Sequence, residues 1–353
     1  MAVKRLVHYD LVRIIAIFAV VVVHTSGSFY RALAPVTSVD WQVSNIYSTM
    51  GKFSICIFVM VSGMFFLNPK KSITIGTLFK KNILRIAAAF LFWSIAYALF
   101  GLHVKIKMNG YQPEFINAFI IDIVNGNYHL WFCYMIIGIY MIVPFLKLIT
   151  ADEHLLKYFL ILSIIMASIV PVLQLLPDVV SVPVSIVVSQ LKLTFVTGCV
   201  GIFMLGYYLS YCNVTKRAEI LIYITGTLSL LVTIALNGYM SVRNNQNYEP
   251  LYDLTNINIL LTAVAVFIFF RLHVSNMDFS ERFQKIVLIL SECSFGIYFI
   301  HVFLIIMFQQ YRLDQYLYNA AIAVPVLSAG VFAISGILIY VFRKIPFARD
   351  YLS

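Results

Sequence analysis

The sequence predicts an all-α integral membrane protein of about ten transmembrane helices, with N-terminus and C-terminus both in the cytoplasm. Three observations carry this. Of 353 residues, 61% are hydrophobic and 11% are charged, against roughly 25% charged in an ordinary globular chain. So much apolar surface cannot be hidden in a water-soluble core. The apolar runs are long and unbroken rather than alternating, which excludes an outer-membrane barrel. The 25 Lys and Arg residues divide eighteen to seven between alternate loops, and the richer side is the cytoplasmic one.

A helix needs about 20 residues to cross an apolar core roughly 30 Å thick. Ten stretches meet that length: Tyr9 to Phe29, Thr49 to Leu67, Ile83 to Leu102, His129 to Ile149, Leu155 to Leu175, Leu191 to Ser210, Ile220 to Met240, Ile257 to Leu272, Ile286 to Phe308 and Ala321 to Phe342. The cytoplasmic cations include Lys4, Arg5, Arg13, Lys70, Lys80, Lys81, Arg85, Arg343 and Arg349. The outer ones are Arg31, Lys52, Lys105, Lys107, Lys192, Arg243 and Arg312. This bias accounts for the net charge of +10 as topology plus affinity for anionic lipid, with no nucleic acid required. Lys4 and Arg5, an apolar run and then Ala32-Leu33-Ala34 imitate a cleavable secretory signal. The run is longer than a usual h-region, so it reads as an uncleaved first helix. Between Pro113 and Gly126, Phe115, Ile116, Phe119, Ile120, Ile123 and Val124 recur at helical spacing, which predicts a short helix lying flat on the outer face. No linker, repeat or low-complexity tract divides residues 1–353, so one domain is expected. The five cysteines are scattered without a CxxC pair or a His/Cys cluster, which argues against a disulfide framework or a metal site. Neither GxxxxGK[ST] nor GxGxxG occurs, which argues against a nucleotide-driven pump.

Ionisable residues inside a membrane helix are costly and mark function by default. The first helix carries two. Arg13 and His24 are eleven positions apart, which at 100° and 1.5 Å per residue leaves about 20° of rotation over roughly 16 Å of rise. They share one face, with Asp10 one turn before Arg13 and able to pair with it. A bland reading competes, in which Arg13 snorkels to the interface and His24 is a satisfied core histidine.

These residues resemble the R-x10-H signature of the membrane acyltransferase 3 family, which O-acylates sugars and surface polymers. Other stretches are similar to the family in the same order: Ile57-Phe58-Val-Met-Val-Ser62-Gly63, the basic run up to Arg85, His129-Leu130-Trp131-Phe132, and Ser294-Phe-Gly296-Ile-Tyr298-Phe-Ile-His301. Within the family the chain resembles most the type that acetylates enterobacterial common antigen, through its length, the Pro35-Val-Thr stretch and His129-Leu-Trp-Phe. It departs where many polysaccharide-modifying members have two arginines three apart. Here Asn82 and Arg85 hold that spacing and Lys80 and Lys81 carry the other charge, a point charge in place of a bidentate fork. No hydrolase-like domain is attached, which leaves acceptor recognition to the membrane domain.

The resemblance implies an O-acetyltransferase of the bacterial inner membrane, with no bound cofactor, acetyl-CoA as donor substrate and a glycan or lipid-linked sugar as acceptor. Its catalytic residues would be His24, Arg13 and Asp10. His24 is the candidate general base or transient acyl carrier, since histidine is tuned for proton transfer near neutral pH. Arg13, Lys80, Lys81 and Arg85 would bind the donor's phosphates, although the lysines are equally explained as a positive-inside loop. His129 and Trp131 are the acceptor-side candidates, with an aromatic-belt reading competing for Trp131. Tyr298 and His301 share a face and suit hydrogen bonding between helices. Ser62-Gly63 suits close helix packing. Glu292 is intramembrane, with Arg85 as a conceivable partner. The HxxxxD spacing of His273 and Asp278 imitates glycerolipid acyltransferases, but it falls in a polar loop without apolar flanks. A transporter or flippase for a lipid-linked sugar remains the alternative function. So does an acyl exporter that serves a separate transferase.

A reporter fused to the C-terminus should be active in the cytoplasm, and the mature N-terminus should precede the first helix. A reporter active only outside the cell, or a chain beginning near Pro35, would contradict this topology.

Overall fold

A computed structural model describes residues 7–28, 34–69, 71, 73–193, 196–311 and 319–353. Lys4, Arg5, Arg31, Lys70 and Arg312 of the charge partition, the end of the first predicted span at Phe29, and Ala32-Leu33 lie outside the described residues. The helices are α1 Val7–Ser26, α2 Val39–Gly51, α3 Ser54–Phe66, α4 Ile75–Asn109, α5 Glu114–Asn125, α6 Trp131–Thr150, α7 Glu153–Leu173, α8 Asp178–Leu191, α9 Cys199–Tyr211, α10 Lys216–Asn244, α11 Ile257–Leu272, α12 Glu281–Gln310, α13 Ala320–Phe342 and α14 Pro346–Tyr351. Among the described residues there is no strand, and nine helical stretches are long and apolar enough to cross a membrane.

Helix α1 stands at the centre, against α2, α3, α11, α12 and α13. Its Val12, Ala16, Ile17, Val20 and Val21 are buried, so the inward face is small and β-branched, and neighbours approach closely. The second span begins about ten residues before the sequence suggests. It runs over Val39–Phe66 and is divided at Gly51-Lys52-Phe53 into α2 and α3. Ser38 starts it, its hydroxyl accepting from the Trp41 amide at 3.2 Å. Hydropathy misses α2 because its polar residues face protein rather than lipid. Asn45 and Asn237 join at 2.7 Å, and Tyr252 Oη donates to Asn45 Oδ1 at 2.5 Å.

The sixth predicted span, Leu191 to Ser210, is not one helix. Lys192 takes a left-handed φ of 53° and Gly198 a φ of 77°, and the chain forms two short apolar helices, α8 and α9, on either side. At 13 residues α9 is about 20 Å long, short of a full crossing. It is sheathed by protein instead. A Cβ on Gly63 would lie 1.7 Å from the Phe203 carbonyl oxygen, and one on Gly206 would lie 2.1 Å from that of Met60. The two backbones therefore touch, as small residues permit where lipid gives helices no hydrophobic reason to associate. Ser62-Gly63 has the packing role that the sequence suggests.

The short amphipathic helix appears as α5, bounded by Gly110 and Gly126 and tied to α4 by Lys105 and Asp122 at 3.1 Å. Glu292 pairs at 3.1 Å with Arg343 rather than with Arg85. His273 binds Glu219 at 2.7 Å, so the HxxxxD spacing does not bring its histidine to the aspartate.

Gly63→Ala and Gly206→Ala should each lower the amount of protein in the membrane and its thermal midpoint, since overpacking costs about 1–3 kcal/mol and here backbone must yield. Gly101→Ala, where a Cβ meets nothing within 4 Å, should leave both unchanged. Equal behaviour of the three variants would contradict the α3–α9 contact.

Candidate active site

Two ends of α1 organise two regions. At one end is a cavity of ≈ 960 Å³ lined by Arg13, Lys80, Lys81 and Arg85, the four cations singled out in the sequence, together with Arg343 and Arg349. Asn82, at the departing position of the basic run, faces the same cavity. Lys80 and Lys81 are exposed and stand on a π-helical stretch, Leu78–Ile83, within α4. Arg85 is half-buried, with its guanidinium 5.6 Å from the Phe295 ring centroid, and it donates to the Ser353 backbone carbonyl. The negative charges there are Glu292 and Asp350. Arg349, bonded to Asp350 at 2.9 Å, holds that carboxyl below the usual carboxylate range. Six cations against two anions make the mouth suited to a multiply charged anion.

Beyond the mouth lies a cavity of ≈ 90 Å³ that shares Arg13, Ile86, Tyr140, Ser294 and Phe295 with it and adds Phe58, Phe132 and Tyr298. Five of its eleven lining residues are aromatic, and one of them, Tyr298, borders a cluster of three histidines. The ring centroids of His24 and His301 are 5.1 Å apart, those of His129 and His301 5.2 Å, and those of His24 and His129 6.2 Å. Tyr298 bridges the two regions, since it lines this cavity, its ring lies 5.5 Å from that of His129, and its hydroxyl donates to the His129 carbonyl.

Each histidine is held differently. His301 is fully buried, and its Nδ1 donates to the carbonyls of its own helix, to Tyr298 at 2.7 Å and to Ile297 at 3.1 Å. That fixes the tautomer and leaves Nε2 as an acceptor, with no hydrogen-bond partner. His129 is also buried, in the turn before α6, with Nδ1 3.1 Å from Asn127 Oδ1. His24 is half-buried, and its Nδ1 shares a hydrogen bond of 3.2 Å with Tyr128 Oη.

The sequence candidates thus separate into groups. Arg13, Lys80, Lys81 and Arg85 meet at the mouth, and His24 and His129 meet in the cluster. Trp131 is 43% exposed on α6 and stands outside the contacts among the histidine rings. Asp10 is buried, accepts from Ser291 Oγ at 2.6 Å, and lies fourteen positions before His24, about 21 Å along the helix. Tyr298 joins α12 to the turn before α6, as the sequence suggests, whereas His301 bonds within its own helix and its ring completes the cluster. Lys52, placed by sequence with the outer loops, stands in the break within the apolar stretch Val39–Phe66, at the His24 end of α1. The signal for it was a lysine beside an apolar run. No metal-holding group of His, Cys, Asp or Glu occurs among the described residues.

The family model described as an acyltransferase domain matches residues 7–340, nearly the whole chain. The chain belongs to the acyltransferase 3 family and is a multi-pass membrane acyltransferase. Comparison with curated proteins and with solved structures gave no match.

In inside-out membrane vesicles, Lys81→Cys and Asn82→Cys should react with a membrane-impermeant maleimide, whereas the buried native Cys56 and Cys133 should react only after unfolding. Protection of both introduced thiols would contradict an open mouth.

Proposed function

We propose that this acyltransferase carries an acyl group, in the first place acetyl, from cytoplasmic acyl-CoA to a hydroxyl of a cell-surface polysaccharide or glycolipid precursor, working in the bacterial inner membrane. The observation that supports this reading is that one helix carries opposite chemistries at its two ends, a cationic mouth at Arg13 and a histidine cluster at His24, with a small cavity walled by Tyr298 between them. CoA is a polyanion with a long, slender arm ending in a thioester. Its phosphates suit Arg13, Lys80, Lys81 and Arg85, and the thioester end of the arm would point toward Phe58, Phe132 and Tyr298, where the ≈ 90 Å³ cavity must widen to admit it. Asp10 would act at the mouth, one turn before Arg13, by orienting the guanidinium.

In the reaction, Nδ1–H of His24 donates to Tyr128 Oη, which leaves a lone pair on Nε2 to accept the acceptor's hydroxyl proton. The alcohol oxygen attacks the thioester carbon, a C–O bond forms, and the carbonyl electron pair moves to oxygen. When the carbonyl reforms, the C–S bond breaks and the thiolate takes the proton from His24. The products are an ester and free CoA thiol. His129 and Trp131 are assigned to the acceptor side, and His301 backs His24 in the cluster.

His24→Ala should cut label transfer from radiolabelled acetyl-CoA to membrane glycan by about 10²–10⁴-fold, the range for a lost acid–base group, with the protein still present in the membrane. Arg13→Ala should raise the apparent KM for acetyl-CoA, and Arg13→Lys should restore it only in part, because a point charge replaces a fork. An active His24→Gln enzyme, or an unchanged KM in Arg13→Ala, would contradict these roles.

A further inference from the structure

The mechanism above supplies a base but nothing to meet the negative charge that develops on the carbonyl oxygen. Lys52 is placed for that task. It lies in the break between α2 and α3, inside the apolar stretch Val39–Phe66, and an ionisable residue within such a stretch marks function by default. The break is pressed onto α1 just before His24, since a Cβ on Gly51 would lie 2.5 Å from Val23 Cγ2 and 2.7 Å from the Ala19 carbonyl oxygen. Lys52 is half-buried and follows Gly51 directly, which sets it beside the turn of α1 that leads into His24.

The ammonium is also steered from the other side. Its nitrogen stands 4.3 Å from the centroid of the Tyr252 ring, within the range of a cation–π contact. That ring cannot drift, because Tyr252 Oη is held by Asn45 at 2.5 Å, Thr49 at 2.7 Å and Asn237 at 2.9 Å. Thr49 is buried and bonds in turn to the Asn45 carbonyl at 2.7 Å. Side chains from α2, α10 and the Pro250–Tyr252 turn therefore converge to support one aromatic ring beneath one lysine. Such preorganisation is what a charge-stabilising group needs, since a donor already fixed in place spends nothing on reorientation as the reaction proceeds.

We propose that Lys52 is a catalytic residue of the acyl transfer, its ammonium donating hydrogen bonds to the thioester carbonyl oxygen as that oxygen becomes negative. The assignment rests on the acyl-transfer reading. As the alcohol oxygen attacks, the C=O pair moves onto oxygen opposite the Lys52 ammonium while His24 takes the alcohol proton. On collapse the pair returns, the C–S bond breaks and the sulfur leaves with the proton from His24. Lys52 keeps all its protons throughout.

The test is label transfer from radiolabelled acetyl-CoA to endogenous glycan, in membranes that hold the full chain. Lys52→Met should lower kcat by about 10²–10³-fold, the usual loss for an oxyanion donor, with KM for acetyl-CoA within about twofold of the parent. Lys52→Arg, which keeps the cation, should recover part of the rate. An unchanged kcat in Lys52→Met overturns the proposal, as does a loss confined to KM, which would make Lys52 a binding residue. If Lys52→Met is not retained in the membrane, Lys52→Gln is measured in its place with the same expected loss. Absence of both neutral variants from the membrane would make Lys52 a structural cation and end the proposal. A parent protein that transfers no label would overturn the acyl-transfer reading, and this assignment with it.

Discussion

Helix α1 has to carry Arg13 and His24 through an otherwise apolar bundle, and the arrangement of the rest follows from that demand. A charged residue at the centre of a membrane helix costs on the order of 2.5–3.5 kcal/mol even when neighbours and water relieve it. The protein meets the demand by surrounding α1 with five other helices and opening a cavity at Arg13. At the other end, imidazoles from α6's leading turn and from α12 close around His24. The same helix thus joins a cationic cavity to a cluster of imidazoles.

Close packing elsewhere serves this arrangement. Gly63 and Gly206 bring α3 and α9 into backbone contact, which holds Phe58 and Ser62 beside the small cavity. Gly51 does the same for α2 against α1, and so sets the adjoining Lys52 beside the turn that leads into His24. Tyr298 belongs to both functions: its hydroxyl ties α12 to the turn before α6 while its ring walls the small cavity. A substitution at Tyr298 therefore disturbs the cluster and the cavity together.

Much of this is legible in the sequence, for reasons that differ by residue. Long apolar runs reveal the spans because each needs only local composition, and the α5 helix is visible in its own periodicity. Arg13 and His24 can be aligned from helical geometry alone, and the basic run up to Arg85 is contiguous. What is not legible depends on distant residues. The meeting of His24, His129 and His301 is a tertiary event among three helical segments. Arg343 and Arg349 join the mouth from the far end of the chain, and Glu292 takes Arg343 rather than Arg85 because α13 lies beside α12. The start of the second span is not legible because α2 looks too polar to belong to it until its partners Asn237 and Tyr252 are seen. The sixth predicted span divides in two because hydropathy does not register the left-handed backbone at Lys192 and the positive φ at Gly198.

The central claim is that the mouth at Arg13 and the cluster at His24 are two ends of one path, with donor entering at the first and acyl group leaving at the second. The most direct measurement is transfer in sealed, oriented vesicles that contain the full chain and acceptor glycan, with radiolabelled acetyl-CoA supplied to one side at a time. The account predicts that label reaches glycan when acetyl-CoA is on the face that carries Arg85, and not when it is on the opposite face. Equal transfer from both faces, or transfer only from the histidine side, would contradict it.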